Sequence, residues 1–185
     1  LNAASITVAD GICVLQLASA CGSPLPERVP GPSFFLRACE YGVPRGWRHF
    51  FYGGAEGVAE TLAARMHERF PGIEIVGTYS PPYRSISDLA ESDEVLRQIE
   101  EAGTDLLWVG LGGPKQEFWM AEHKQRLKVP VMLGVGAAFD FHTGNRPWAP
   151  AIVRRMGLEW VWRMLTGGPA MFKRNTRCVT VVSGM

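Results

Sequence analysis

Three apolar segments of this chain end in glycine-rich turns, and each turn is followed by residues typical of a helix or a loop. The segments are WRHFFYGG, DLLWVG and VPVMLGVG. Strands that alternate with helices in this way predict right-handed βαβ crossovers. We therefore predict an α/β, Rossmann-like fold with a mostly parallel sheet and helices on both faces. This fold forms a single domain that is followed by a basic amphipathic C-terminal segment.

Periodicity predicts the remaining elements of the domain. Val58, Leu62 and Met66 recur at a spacing of four, which indicates an amphipathic helix that ends at Pro71 and Gly72. Further predicted elements are a strand over residues 6–9, a strand in IEIVGTY, a helix that Ser92 caps, and strands buried on both faces in DLLWVG and VPVMLGVG.

Charge separates the end of the chain from the rest. From Arg146 onward the sequence has seven arginine and lysine residues against one glutamate, whereas residues 1–145 have 12 basic and 17 acidic residues. We predict a ligand-binding α/β domain over residues 1–145 and a basic helical segment over residues 146–185. A tail whose charge is opposite to that of its domain suggests an anionic partner. The apolar stripe of this segment is formed by Ile152, Met156, Trp160 and Met164.

The glycine-rich turns predict a binding site. The carboxyl ends of parallel strands lie at one edge of a sheet, and small residues there let the backbone approach a ligand. Each helix that follows presents free N–H groups, which favours an anion such as phosphate. One helix end contributes only about 0.3–1 kcal/mol, so a cation has to help. Lys115 and Arg146 are the candidates, and the candidate glycines are Gly53, Gly54, Gly112, Gly113 and Gly136.

Common nucleotide-binding motifs are absent. In the dinucleotide fingerprint GxGxxG the last position should be small, but GLGGPK has Lys115 there and GVGAAF has Phe139. These failures oppose a nicotinamide-dependent oxidoreductase, which remains an alternative. The P-loop motif and a DxD pair are also missing, and the four cysteines lack the spacing of a metal site. We expect neither a metal nor a cofactor.

Two carboxylates stand out. Asp10 follows the predicted first strand and lies on the same edge as the glycine turns, where it could act as a general base and deprotonate a hydroxyl. A turn cap is its alternative role. Asp140, in AAFDF, is placed similarly and has the same alternative.

Seven motifs occur in one order along the chain: ADG, LPERVPG, FYGG, SPPY, GLGGPKQE, GVGAAFDF and GLEWVWRML. In this order they resemble the WecG/TagA/CpsF glycosyltransferases, glycosyltransferase family 26. The resemblance implies inverting, metal-independent transfer of a hexose, an N-acetylhexosamine or a uronic acid from a UDP-sugar to a polyprenyl-diphosphate-linked acceptor. It implies that Asp10 is the base. It also implies that the SPPY, PKQE and GVGAAFDF motifs, with Pro82, Tyr83, Gln116, Glu117 and Asp140, bind the donor.

The resemblance also implies a location. The basic C-terminal segment would dock on the inner face of the plasma membrane, which makes the protein cytoplasmic and peripheral. Neither a leader nor an apolar run of about 18 residues is evident. A helix packed on the sheet is the alternative for the segment, and a catalytically silent nucleotide-binding scaffold is the alternative for the whole chain. Nucleic acid is not expected as a partner, and a homo-oligomer stays open. The membrane-facing residues would be Arg154, Arg155, Arg163, Lys173 and Arg174.

Overall fold

The computed structural model describes residues 4–86, 88–156 and 158–166. These residues divide into two compact units with a boundary between Arg146 and Pro147. The strands are β1 Arg48–Gly53, β2 Glu74–Tyr79, β3 Leu106–Gly110 and β4 Val131–Gly134. The helices of the first unit are α1 Ile12–Ala20, α2 Gly31–Gly42, α3 Val58–Arg69, α4 Asp93–Glu101, α5 Lys115–His123 and α6 Ala138–Thr143, with a 3₁₀ turn at Val43–Arg45. The second unit has α7 Ala151–Arg155 and α8 Glu159–Thr166.

The four strands form one parallel sheet in the order β2-β1-β3-β4. The chain leaves β1 toward β2 on one side, then returns past β1 to β3 and β4 on the other side. The order therefore reverses between β1 and β3. In open α/β sheets this reversal leaves a crevice at the carboxyl ends of the two strands, where ligands bind.

Alternating side chains of the central strands pack against helices on opposite faces. Phe51 and Trp108 are buried with residues of α2, α3 and α6. Phe50 and Leu107, their neighbours in sequence, are buried with residues of α4 and α5. Since a strand places successive side chains on opposite faces, the continuous apolar runs of β1 and β3 fill both cores. The predicted fold class is confirmed.

Two predicted helices begin and pack as expected. Val58, Leu62 and Met66 form the buried stripe of α3. Ser92 caps α4, because its hydroxyl accepts a hydrogen bond from the backbone N–H of Val95 at 3.3 Å.

The predicted strand over residues 6–9 is wrong. These residues have no regular structure, and Ile6 and Val8 are 83% and 55% exposed. A strand needs a partner for its backbone groups, and no strand of the described sheet pairs with this segment. Its carbonyl at Ala9 instead accepts a hydrogen bond from the N–H of Val29 at 2.8 Å.

The predicted burial of β4 on both faces is wrong. Among the described residues β4 pairs with β3 alone, so it lies at an edge, and Val131 is 42% exposed. An apolar run indicates a strand but does not fix its place in the sheet.

The single predicted helix of the C-terminal segment is two helices, α7 and α8. The N–H of Leu158 bonds to the carbonyl of Val153, five residues earlier, and this interrupts the helical pattern of bonds four residues apart.

His49 makes the stability of the fold dependent on pH. Its ring is fully buried in β1, and its Nδ1 accepts a hydrogen bond from Trp108 Nε1 at 3.0 Å. Burial lowers the pKa of His49 to about 4, against a partial opposing effect of Asp105. Because this pKa lies below the ordinary value near 6.5, the unfolded chain binds more protons between these pH values. The contribution of neutral, buried His49 to the free energy of unfolding is fully present above about pH 6.5. It is lost as the pH falls toward about 4.

We therefore expect the free energy of unfolding to fall by about 2–3 kcal/mol between pH 7.5 and pH 4.5 because of His49. Urea unfolding at both pH values measures it. His49→Asn keeps an acceptor for Trp108 but cannot titrate. The free energy of unfolding of this variant should therefore fall by about 2–3 kcal/mol less over the same pH range. An exposed histidine on α3 provides the control, His67→Asn, which should behave like the wild type. Equal losses in the wild type and His49→Asn would contradict the prediction.

Candidate functional site

The floor of the crevice between β1 and β3 is made of backbone. Gly53 faces Gly110 across the two strands, and a Cβ on Gly53 would lie 2.7 Å from the Gly110 carbonyl carbon. Gly53 also has a φ of 130°, which side chains rarely permit. The N–H of Gly54 then bonds to the carbonyl of Gly110 at 3.2 Å. The glycines therefore allow two turns to meet at one point.

Gln116 joins this floor to the turn after β4. Its side chain is buried in the first turn of α5, and its Oε1 accepts a hydrogen bond from the N–H of Gly136 at 2.8 Å. Its Nε2 donates to Glu117 Oε1 at 3.0 Å, and its backbone N–H bonds to the Gly112 carbonyl at 3.1 Å. The predicted glycines of three separate turns are thus brought together at one edge.

Glu117 has one carboxylate oxygen that lacks a hydrogen-bond partner among the described residues. Both carboxylate oxygens lie 3.6 Å from the place where a Cβ on Gly113 would stand. Oε1 accepts from Gln116, whereas Oε2 is buried and has no hydrogen-bond partner among the described residues. A buried acceptor without a donor is costly, and a ligand hydroxyl at Gly113 would satisfy it.

Lys115 is engaged by the protein. Its ammonium group donates to the carbonyl of Arg84 at 2.7 Å and lies 3.8 Å from the centre of the Tyr83 ring. The Tyr83 side chain is 92% exposed, and Pro82 beside it is exposed. Lys115 therefore connects α5 with the SPPY loop, in addition to any role at a phosphate.

A buried polar cluster supports the same loop, and the sequence analysis missed it. The Glu91 carboxylate accepts hydrogen bonds from the Tyr52 hydroxyl, from Arg84 Nη2 at 3.2 Å and from the Ser92 N–H at 2.9 Å. Burial and the bond to Glu91 raise the pKa of Tyr52, so its hydroxyl remains a donor. Tyr52 lies 39 residues before Glu91, so no short motif could identify the cluster.

Asp10 belongs to the segment over residues 6–10 that is not a strand. Its carbonyl accepts a hydrogen bond from Arg28 Nε, and the neighbouring Ala9 bonds to Val29. Two residues later, a Cβ on Gly31 would lie 3.3 Å from the Val135 carbonyl oxygen. These contacts connect the segment of Asp10, through Val29 and Gly31, to the turn after β4. The exposed Asp10 and the basic Arg28 are therefore neighbours.

Asp140 and Arg146 pair with each other. Arg146 Nε lies 3.0 Å from Asp140 Oδ2, and the N–H of Arg146 bonds to the carbonyl of Asp140 at 3.1 Å. The Arg146 side chain is 51% exposed. The candidate cation thus already has a carboxylate partner, which reduces the charge it can offer to a phosphate.

The second unit carries part of the predicted membrane-facing set. The Arg154 guanidinium lies 3.9 Å from the centre of the Trp148 ring. Lys173 and Arg174 lie outside the described residues, as do the side chains of Arg155 and Arg163. Among the described residues of this unit, the large apolar side chains of Ile152, Met156, Leu158 and Leu165 are exposed.

A metal-binding cluster and a membrane-spanning helix are both absent from the described ranges. No group of three histidine, cysteine or acidic residues in them is arranged to hold a metal ion. In the same ranges no helix has the length and apolar character needed to cross a bilayer.

Comparison with known proteins relates the chain to one family of glycosyl transferases. The model of the glycosyl transferase WecG/TagA/CpsF family matches residues 1–182. An N-acetylglucosaminyldiphosphoundecaprenol N-acetyl-beta-D-mannosaminyltransferase of Bacillus spizizenii (strain W23) is 34% identical over 174 residues, which cover 94% of this chain and 65% of the relative. A protein of the same name from Staphylococcus aureus (strain MRSA252) is 30% identical over 165 residues, or 89% and 63%. The chain spans just under two thirds of the length of these relatives.

Proposed function

The chain belongs to the WecG/TagA/CpsF family of glycosyl transferases, and from this premise we propose that it transfers a sugar from a UDP-sugar to a polyprenyl-diphosphate-linked acceptor. The sugar is a hexose, an N-acetylhexosamine or a uronic acid. The two relatives are named for transfer of N-acetylmannosamine to N-acetylglucosaminyldiphosphoundecaprenol, which supports an acceptor of this class and a role in cell-surface polymer synthesis.

One observation carries the proposal: glycine turns from three strands meet at the carboxyl edge, beside the buried Glu117 acceptor and the exposed Tyr83 ring. The N-terminus of α5 suits a diphosphate, whereas the N–H groups of Gly54 and Gly136 are already bonded to Gly110 and Gln116. Tyr83, whose ring has the Lys115 ammonium 3.8 Å from its centre, is suited to stack on the uracil base. Glu117 Oε2 is suited to accept a hydrogen bond from a hydroxyl of the ribose or the sugar.

In the proposed reaction Asp10 is the general base. The acceptor hydroxyl oxygen attacks the anomeric carbon while its proton passes to the Asp10 carboxylate. The bond between the anomeric carbon and the phosphate oxygen breaks, and UDP leaves with the electron pair. Attack opposite to the leaving group inverts the anomeric centre.

Stabilisation of the leaving diphosphate is assigned to cations and backbone donors of the chain. Arg28 contacts the Asp10 segment, so it joins Lys115 and Arg146 as a source of positive charge. The sequence analysis did not single out Arg28, although it lies within the LPERVPG motif. We propose that no metal ion is required.

Membrane docking by the C-terminal segment is part of the same proposal. A lipid-linked acceptor confines the reaction to the bilayer surface, and the exposed Ile152, Met156 and Leu165 with the nearby basic residues suit the headgroup region. The protein would then act as a peripheral protein on the inner face of the plasma membrane.

Thermal unfolding with ligands tests donor binding. We expect UDP and a UDP-sugar to raise the melting temperature equally in about 5 mM EDTA, which removes divalent metal, and in about 5 mM MgCl₂, which supplies it in excess. A ligand that binds the folded state stabilises that state. NADH should give no shift. A shift that appears only with magnesium would contradict metal independence. A shift with NADH alone would favour an oxidoreductase, and UDP binding without turnover of any donor would favour a silent scaffold.

A further inference from the structure

We infer that Glu91 is a positioning residue for the donor: its buried carboxylate holds the loop of residues 81–86 in the form that binds the nucleotide. The inference rests on the proposed function. Glu91 does not touch the proposed ligand itself. It acts through Arg84, Tyr83 and Lys115.

The carboxylate of Glu91 is fully enclosed. Its side chain has no exposed surface, and each oxygen has a donor. Oε2 accepts from the Tyr52 hydroxyl, and Oε1 accepts from both Arg84 Nη2 and the Ser92 N–H. An ionised carboxylate is expensive to bury, and these three donors compensate the cost.

The donors and further contacts come from every element around the loop. Tyr52 directly precedes Gly53 at the end of β1, and Ser92 is the cap of α4. The N–H of Glu91 itself donates to His123 Nε2 at 3.2 Å, which fixes Glu91 against the end of α5. Arg84 also donates through Nη1 to the carbonyl of Ala90. Glu91 therefore fixes the loop relative to β1, α4 and α5.

The loop contacts the proposed site through Arg84 and Tyr83, which both interact with Lys115. The carbonyl of Arg84 accepts from Lys115 Nζ at 2.7 Å, and the same ammonium lies 3.8 Å from the Tyr83 ring centre. Tyr83 is 92% exposed, so little packing orients its ring apart from these contacts. If Glu91 is neutralised, Arg84 loses its charged partner and keeps the bond to the carbonyl of Ala90, so the Tyr83 ring and Lys115 are held less firmly. Binding of the UDP-sugar then has to order the loop first, which lowers the affinity for the UDP-sugar.

The test compares Glu91→Gln, Arg84→Ala and Tyr83→Ala in the full chain. UDP affinity is measured by calorimetry, and KM and kcat are measured with a UDP-sugar. We expect Glu91→Gln and Arg84→Ala each to weaken UDP binding and raise KM about tenfold, with kcat within about twofold of the wild type, since uniform binding is lost. If Glu91→Gln does not fold, Arg84→Ala replaces it in the test. The Arg84 side chain is partly exposed, so its removal disturbs folding less.

A double-variant cycle separates positioning from general stability. If Glu91 acts through the Tyr83 ring, Glu91→Gln combined with Tyr83→Ala should bind UDP no more weakly than Tyr83→Ala alone. The control is Arg97→Ala with Glu101→Gln, which removes an exposed ion pair from α4 and should leave KM unchanged.

Three outcomes would overturn the inference. Wild-type UDP affinity in folded Glu91→Gln or Arg84→Ala, or fully additive effects in the cycle, would remove the positioning role and leave the proposed function intact. Failure of the wild type to bind UDP would remove both.

Discussion

Replacement of Asp10 by asparagine is expected to lower the rate of sugar transfer by about 10²–10⁴, the range that a general base contributes. Asparagine has nearly the same shape but cannot accept the proton of the acceptor hydroxyl. Because Asp10 is assigned to the acceptor and not to the nucleotide, UDP affinity should stay within about threefold of the wild type. Single-turnover transfer to a lipid-linked acceptor and calorimetric UDP binding measure the two quantities.

The control for this change is Glu68→Gln, which removes an exposed carboxylate from α3. It should leave both rate and affinity unchanged. Turnover of Asp10→Asn near the wild-type rate would reject Asp10 as the base. Loss of UDP binding in Asp10→Asn would instead move Asp10 into the donor site.

Replacement of Gly53 by alanine is expected to lower the free energy of unfolding by about 3–5 kcal/mol, through backbone strain and overpacking. The φ of 130° is unfavourable for alanine, and the new methyl group would lie 2.7–2.8 Å from backbone atoms of Gly110. Backbone at this contact cannot rotate away as a side chain can. Urea unfolding measures the loss, which is a large part of the 5–15 kcal/mol typical of a domain.

Gly57 separates the two contributions to this loss. It also has a positive φ, 78°, but a Cβ there would meet nothing within 4 Å. Gly57→Ala should therefore cost only about 1–2 kcal/mol, which reflects the conformation alone. If Gly53→Ala were no more destabilising than Gly57→Ala, the close approach of β1 and β3 at this point would be wrong.

Local patterns predicted most of the fold. The spacing of Val58, Leu62 and Met66 and the cap at Ser92 depend on neighbours in sequence, so they could be identified without the structure. The glycine turns could be placed at one edge because parallel strands all end on the same side.

Interactions between distant residues were not predictable in this way. Pairing decides whether a segment becomes a strand and where a strand lies, so residues 6–9 and the burial of β4 were predicted wrongly. Lys115 and Arg146 were identified as cations, but their partners, Arg84 and Asp140, depend on how the chain folds back. The cluster around Glu91 escaped notice for the same reason.

The glycine pair between β1 and β3 also limits how this protein can diverge. Where Gly53 faces Gly110 the two main chains meet and the Phe139 ring lies against Gly110, so a mutation there disturbs folding first. Under the proposed function, a new sugar preference would therefore arise mainly in the surrounding loops that carry Tyr83 and Glu117. The scaffold stays constant while its rim is free to vary.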